Sequence, residues 1–518
     1  MATVGAVGVA VVAGPAAAGG APARSLTLTP LGTYASGLYN QGGAEITAYD
    51  AGTRRIFAVN AAAGTVDVLD AADPTSLVKI GSLMAPGANS VAVFEGRVAV
   101  AQEATNRQAP GTVSFFDAST LAAEATVTVG ALPDMVTFSP DGRYVVVAGE
   151  GEPSGYLAGS VDPRGTVAII DLSGGAPGQA DVRIAGFEAY DGQEAQLRAQ
   201  GVRIYGPGAS ASQDIEPEYV TIDRTSRTAW VTLQENNAIA QVDLRAAEVT
   251  SITALGVKDF SLPGNGIDAS DRDGAIAIRQ WPAVGLYQPD SIASYAVRGQ
   301  TYLVTANEGD TRDYPGFNEE KRVSTLSLSP TVFPNGAELK APAKLGRLTA
   351  TSTSPTDASG VTQIQVPGAR SISVRDASGS LLWDSGDALE RITAAALPAN
   401  FNASNTSNAF DDRSDNKGPE PEGLALGKLN GREYAFVGLE RIGGVAVFDI
   451  TDPRSGRFVS YVNPRNFAAA PNTAAAGDLG PEGVTFVSAD DSPTGRPMLV
   501  VGNETSGTTT AYDVTTSR

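Results

Sequence analysis

The chain has 518 residues, with 57 Asp plus Glu against 37 Lys plus Arg for a formal charge of −20, and it contains neither Cys nor His. The missing Cys excludes a disulfide framework, a thiolate nucleophile and a zinc–thiolate site. The missing His excludes an imidazole base, a Ser-His-Asp triad and histidine metal ligands. The acidic excess argues against nucleic acid and anionic membrane surfaces as partners, which leaves carboxylates, Arg, Lys, Tyr, hydroxyls and bound hard cations to carry any chemistry.

Residues 1–24 come first: an apolar run of Ala, Val and Gly, then small residues of the kind cleaved by signal peptidase, without a basic stretch ahead of them. They read as a signal-peptide-like segment, the alternative being a disordered Ala/Gly tail. No stretch elsewhere approaches the ~20 apolar residues of a membrane span. From Ser25 to the end one unit recurs: a short apolar strand, a turn, a second apolar strand ending in a polar pair, a loop, and a third strand closing on Asp. Seven copies begin at Ala44, Asn89, Pro133, Pro217, Pro289, Pro421 and Pro481. The third is the cleanest, PDMVTFSPDGRYVVVAGE followed by GTVAIIDL. β-Branched runs broken by Asp-Gly, Gly-Arg and Asn-Gly turns are a hairpin signature. A fourth strand follows most copies: LVKIGSL, EATVTVG, EVTSITAL and RFVSYVN.

Four-stranded antiparallel units repeated seven times predict an all-β fold, a seven-bladed β-propeller occupying 25–518 as one domain. The last copy stops after its third strand, so SLTLTPLGTY (Ser25 to Tyr34) is expected to close that blade and remove two exposed sheet edges. Two insertions break the period. One spans about 187–206, with a helical stretch at Gln193 to Gln200. The other spans about 309–416, and its middle, Arg370 to Gly386, reads as a hairpin completing blade five. The remainder, including Thr349 to Gly360 and Asn400 to Asn408, reads as loop, either a functional lid or a decoration.

Aligned on their strands, the copies reveal two acidic columns. The first strand opens on Glu45, Asn89, Asp134, Glu218, Asp290, Glu422 and Glu482. The second closes on Ala61, Glu103, Glu150, Glu235, Glu308, Glu440 and Glu504. An amide precedes the second column in five copies: Asn60, Gln102, Gln234, Asn307 and Asn503. An antiparallel hairpin returns its second strand to the face where the first began, so both columns are expected around one mouth of the central channel. Two carboxylates about 4 Å apart repel by about 4 kcal/mol at an effective dielectric near 20, so such a ring must be neutralised by protons, Arg and Lys, or a cation. Carboxylates, amide oxygens and carbonyls are the ligand set of Ca²⁺, and less readily of Mg²⁺. The twelve acids are therefore candidate metal ligands; alternatively they accept backbone N–H bonds at blade junctions or pair with Arg between blades.

Two further segments carry acids. GNGIDASDRDG (Gly264 to Gly274) imitates a calcium loop through Asp268, Asp271 and Asp273, but Ala269 stands at the first loop position and no Glu stands at the twelfth. It is read as a second cation loop or as an Asp-rich turn. DDRSDNKGPEPEG (Asp411 to Gly423) mixes carboxylates with Arg413 and Lys417 just before Glu422. With Glu308, Arg312 and Arg441 it could place cationic donors beside a cation, as a phosphate ester requires, or it could be a solvated charged loop.

DASDRDG, QPDSIASY, TANEGDTRDY, DDRSDNKGPEPEG, YAFVGLERIGGVAVFDITDP, GDLGPEGVTF and SPTGRPMLVVGNETSGTTTAYDV carry a resemblance to the bacterial choice-of-anchor I propeller family. That family is similar to mesenchyme-specific cell-surface glycoproteins, and some members are labelled alkaline phosphatase. The resemblance covers roughly Leu26 to Val514 and is most specific in the final hundred residues. It implies an exported or surface-attached propeller, secreted or held by its N-terminus, since no sorting signal follows the last blade. Three functions stay open: a surface protein binding Ca²⁺ and meeting a mineral, surface polymer or other partner; a Ca²⁺- or Mg²⁺-dependent phosphoesterase with Glu308, Arg312, Lys417, Glu422 and Arg441 as candidate catalytic residues; and a sugar or lactone enzyme using paired carboxylates. Neither substrate nor oligomeric state is legible.

Overall fold

A computed structural model describes the backbone of residues 10–13 and all of residues 26–516. Most of the signal-peptide-like segment lies outside the described residues; its Ala10–Ala13 pairs antiparallel with the outer strand Arg457–Asn463. Among the described residues, seven antiparallel sheets follow one another along the chain, one for each repeat, six of them four-stranded and the sixth extended to five strands by Ala10–Ala13. The first is built from Thr47–Asp50, Arg55–Asn60, Thr65–Asp70 and Val78–Met84. The inner strands Thr47–Asp50, Ala88–Phe94, Pro133–Phe138, Pro217–Ile222, Ile292–Val297, Pro421–Leu429 and Pro481–Val487 touch in that order, and the last touches the first. The result is a closed ring, a β-propeller.

Each junction between neighbouring sheets holds its own apolar cluster, because strands covered on both faces need apolar residues on both. Val66, Val68, Val98 and Val100 fill the first junction, Met135, Val146, Val220 and Val231 the third, and Leu26, Val447, Val501 and Tyr512 the sixth. The ring is latched as expected: Leu26–Ala35 pairs with Thr508–Thr516 from Leu26 opposite Thr516 to Ala35 opposite Thr508. The helix expected near Gln193 is Glu194–Ala199, and Ser371–Asp376 with Leu381–Asp384 completes the fifth sheet across the long insertion.

Two stretches of the long insertion differ from the loops expected. Residues 257–286, between the fourth and fifth sheets, and residues 313–366 form a second layer with an apolar core of Phe260, Trp281, Val323, Leu345 and Ile364. Thr349, Ala350 and Thr351 are buried there, in a stretch whose Ser/Thr content suggests loop. Phe401 and Asn402 in the Asn/Ser-rich stretch are likewise fully buried. Polar composition misleads here because several of the buried polar groups find partners in neighbouring segments: the Thr351 hydroxyl donates to Glu319, and Asn402 Nδ2 donates to the Ser414 hydroxyl. No described helix is long and apolar enough to cross a membrane.

Candidate functional site

A repeated local geometry sets the acids at the mouth. In the second, third, sixth and seventh sheets, the residue two before the acidic position has a positive φ: Gly87 at 71°, Leu132 at 46°, Glu420 at 50° and Gly480 at 69°. Its carbonyl accepts the backbone N–H of the second column, from Glu103 at 2.7 Å, Glu150 at 3.0 Å, Glu440 at 3.0 Å and Glu504 at 2.7 Å. In the last three a proline follows, then the acid. A non-glycine residue in the left-handed region costs about 1–3 kcal/mol and persists only where surrounding structure enforces it. The acid then sits in a bulge: Asp134 and Met135 together oppose Ala148, Glu218 and Tyr219 oppose Thr232, and Glu482 and Gly483 oppose Gly502. A bulge re-aims its side chain, here toward the channel.

Carbonyls of these acids, or of the residue before them, bond the ring together. The Thr232 hydroxyl donates to Asp290 O at 2.8 Å, Asn89 Nδ2 donates to Pro133 O at 3.2 Å, and the Ser291 hydroxyl donates to Glu422 O. At the next junction Gly423 replaces a hydrogen bond with close approach, since a Cβ there would lie 1.7 Å from Glu482 O.

The side chains meet around a cavity of about 260 Å³ lined by Asp134, Glu150, Glu218, Glu235, Asp290, Glu422 and Glu482, together with Asn89 and two acids outside the columns, Glu152 and Asp310. One carboxylate oxygen from each of Asp134, Glu150 and Glu218 lies within 4.8 Å of the other two; the same holds for Asp290, Glu308 and Glu422, and for Glu308, Glu420 and Glu440. Glu235 is only 5% exposed, yet its Oε2 has no protein partner, and neither do Oε2 of Glu422 and Oε2 of Glu482.

Burial and mutual repulsion raise most of these groups. Burial, then Glu504 and Asp134, pushes Glu45 up to about 8. Burial, then Glu152, lifts Asp134 to about 7, and burial, then Asp310, lifts Glu235 to about 8. Glu440 reaches about 8 through burial despite Arg441, and burial also raises Glu504. Glu150, Glu218, Asp290, Glu422 and Glu482 are held well above the carboxylate range, first by burial and then by neighbouring acids.

Glu420 behaves oppositely, and the columns did not reveal it. Burial opposes its charge, but Lys417, Arg413 and Arg441 outweigh burial and hold it at about 2. Lys417 Nζ sits 2.6 Å from Glu308 and 3.1 Å from Glu420, while Arg441 sits 3.0 Å from Glu420 and 2.8 Å from Glu440. The signal for Glu420 lay in the charge alternation of DDRSDNKGPEPEG rather than in the repeat.

Several sequence candidates stand elsewhere. Glu103 pairs with Arg107 at 3.1 Å and does not line the cavity. Arg312 is fully buried, bound to Asp214 at 2.5 Å and Glu216 at 3.0 Å and stacked 4.5 Å above the Tyr205 ring. Among the preceding amides only Gln234 reaches a column acid, donating to Glu308 at 3.1 Å; Asn307 bonds Ser371 and Ser373, and Asn503 bonds Thr508 O. Successive strand residues face opposite ways, so the residue before a channel-facing acid points into the blade. Asp271 is tied to Arg347 at 2.9 and 3.0 Å, whereas Asp268 and Asp273 turn toward Asp411.

The Mesenchyme-specific cell surface glycoprotein of Strongylocentrotus purpuratus is 31% identical over 281 residues, 47% of this chain and 36% of that protein. Gigasin-3a of Magallana gigas is 31% identical over 159 residues, 28% of this chain and 56% of that protein, so the chain spans between about a third and a little over half of these relatives. Among solved structures, the Cps50 (Swd1) β-propeller domain of Myceliophteria thermophila superposes with a TM-score of 0.45 at 9% identity, covering 94% of this chain and 100% of that one. The choice-of-anchor I domain matches residues 45–453, so the chain belongs to the choice-of-anchor I domain family.

Proposed function

We propose that this chain is an extracytoplasmic surface protein whose channel mouth binds a hard divalent cation, Ca²⁺ in preference to Mg²⁺, and presents that face to a mineral, surface polymer or protein partner. The observation that carries the reading is the triple convergence of carboxylate oxygens within 4.8 Å, with Glu235, Glu422 and Glu482 each leaving a buried oxygen unpartnered. Oxygen-only donors in an irregular, roomy arrangement suit the six to eight ligands of Ca²⁺ better than the tight octahedron of Mg²⁺. The extracytoplasmic location draws on the family and on the surface glycoprotein among its relatives.

Hydrolysis of a phosphate monoester is the alternative. It needs a cationic donor free to meet phosphoryl oxygens. Lys417 and Arg441 are already engaged by Glu308, Glu420 and Glu440, and Arg312 by Asp214 and Glu216, which supports binding over hydrolysis.

Thermal melting with and without Ca²⁺ tests the reading. A ligand at about 100 times its Kd adds about 2.7 kcal/mol to the native state. The expected result is a higher Tm in Ca²⁺, a rise that the double variant Glu235→Gln, Glu422→Gln shows to a clearly smaller extent, while its metal-free form melts at or above the wild-type temperature because repulsion is relieved. A Ca²⁺-insensitive wild type sinks the proposal. Release of phosphate from a generic monoester, abolished by Glu422→Gln, would move the assignment to the phosphoesterase.

A further inference from the structure

Asp268, Asp273 and Asp411 come from separate segments, the first two from the 264–274 turn of the second layer and the third from the stretch leading to the mouth. One carboxylate oxygen from each lies within 4.8 Å of the others. Asp268 and Asp411 are 0% and 1% exposed. Two buried acids beside a half-buried third need compensation, and the surrounding donors leave it incomplete. Asp268 accepts the backbone N–H groups of Ala277 at 2.5 Å and Ser270 at 3.4 Å, and Asp273 accepts that of Ala275 at 3.0 Å. Asp411 accepts only the Ser414 hydroxyl through Oδ1 at 2.5 Å, and its Oδ2 has no protein partner. Ser414 also accepts from Asn402 Nδ2 at 2.8 Å, and Asn402 Oδ1 is a second buried oxygen without a partner in the same unit.

The nearby cations do not fill the gap. Arg370 is spent on Glu390 and on the carbonyls of Asp268, Ser414 and Asn416, and Arg347 on Asp271 and Asp415. Arg279 stands 3.9 Å from Asp273 with most of its side chain in solvent. Carboxylate oxygens converging beside a buried oxygen without a partner, with no buried guanidinium seated among them, match a hard divalent cation.

We propose that Asp268, Asp273 and Asp411 hold a second cation, Ca²⁺ by its oxygen-only donors, separate from the mouth and fastening the second layer to the segment that carries Arg413, Lys417 and Glu420. The site does not depend on the mouth being occupied, and the two fail separately.

Trp281 reports on the site, because its indole N–H donates to the carbonyl of Ile267, the residue before Asp268, at 3.1 Å. The experiment uses the full chain. Tb³⁺ is added as a probe under selective tryptophan excitation and displaced with Ca²⁺, and bound Ca²⁺ is counted by equilibrium dialysis. Wild type should give sensitised Tb³⁺ emission that Ca²⁺ quenches. Asp411→Asn should lose that emission and bind one fewer Ca²⁺ per chain, while Glu235→Gln, Glu422→Gln keeps the emission. Trp281→Phe should lose the emission and keep the full Ca²⁺ count. Asn at 411 can still accept the Ser414 bond; should that variant nevertheless fail to fold, Asp273→Asn reads the same site. Equal Ca²⁺ counts in wild type and the folded Asp411 or Asp273 variant overturn the proposal, as does emission that follows the mouth variant instead.

Discussion

Among single side chains, the same carboxylate chemistry takes opposite states according to neighbours. Glu420 stays ionised because Lys417, Arg413 and Arg441 surround it, whereas Glu422, two residues on, is driven toward its neutral form by burial and by Glu440 and Glu308. Arg312, a candidate for the mouth, is held in the interior: it neutralises Asp214 and Glu216 and packs on the Tyr205 ring, which Arg203 also meets at 4.2 Å. Removing one partner of a buried ion pair leaves the other uncompensated, at about 3–5 kcal/mol. Arg312→Met should therefore lower unfolding stability by about 3–5 kcal/mol in denaturant titration while leaving the Ca²⁺-induced rise in Tm intact. A variant as stable as wild type, or one that loses the Ca²⁺ response, contradicts that role. Sequence spacing put Arg312 next to Glu308 and so suggested the mouth; a loop residue's direction is set by the partner that buries it, which spacing does not encode.

Among strands and turns, the repeat was legible because a propeller blade cannot hide its period: apolar residues covered on both faces and turn residues at fixed offsets recur seven times, with an acid at six of the seven openings. What the pattern omitted was the bulge and the left-handed residue before it, which turn the acid into the channel and tie it to the second column. Leu132 and Glu420 hold positive φ immediately before a proline, a conformation local propensity disfavours and the closed ring enforces. Gly423 shows how tightly the elements meet. A methyl group there would strike the Glu482 carbonyl, a backbone atom unable to step aside, so Gly423→Ala should cost at least about 1–3 kcal/mol and widen the sixth junction. Hydrogen exchange should quicken in Pro421–Leu429 and Pro481–Val487 ahead of other inner strands, and exchange rates equal to wild type would refute the packing account.

Over the whole molecule, raised acids couple stability to pH. Glu45, Glu235 and Glu440, ordinarily near 4.5, reach about 8 in the fold, so between those values the folded chain binds more protons than the unfolded one. Their contribution is full below about 4.5 and is lost as pH rises through about 8. In metal-free protein, Tm should fall from about pH 5.5 to about pH 8.5, and the rise produced by Ca²⁺ should grow over the same range, since the cation binds the ionised form and releases protons. Differential scanning calorimetry across that range checks both trends, and a flat metal-free profile would count against the mouth. The sequence by itself determined the ring of blades, the closure by the N-terminal strand and the restriction to oxygen chemistry, because repeat period and residue inventory are properties of the chain alone. The tertiary structure decided which acids converge, that Glu420 rather than a column residue gathers the cationic side chains, that Glu103 and Arg312 stand outside the cavity, and that Asp411 joins Asp268 and Asp273. Those outcomes rest on distances between segments far apart in the chain, which only ring closure and the packing of the second layer bring within reach of one another.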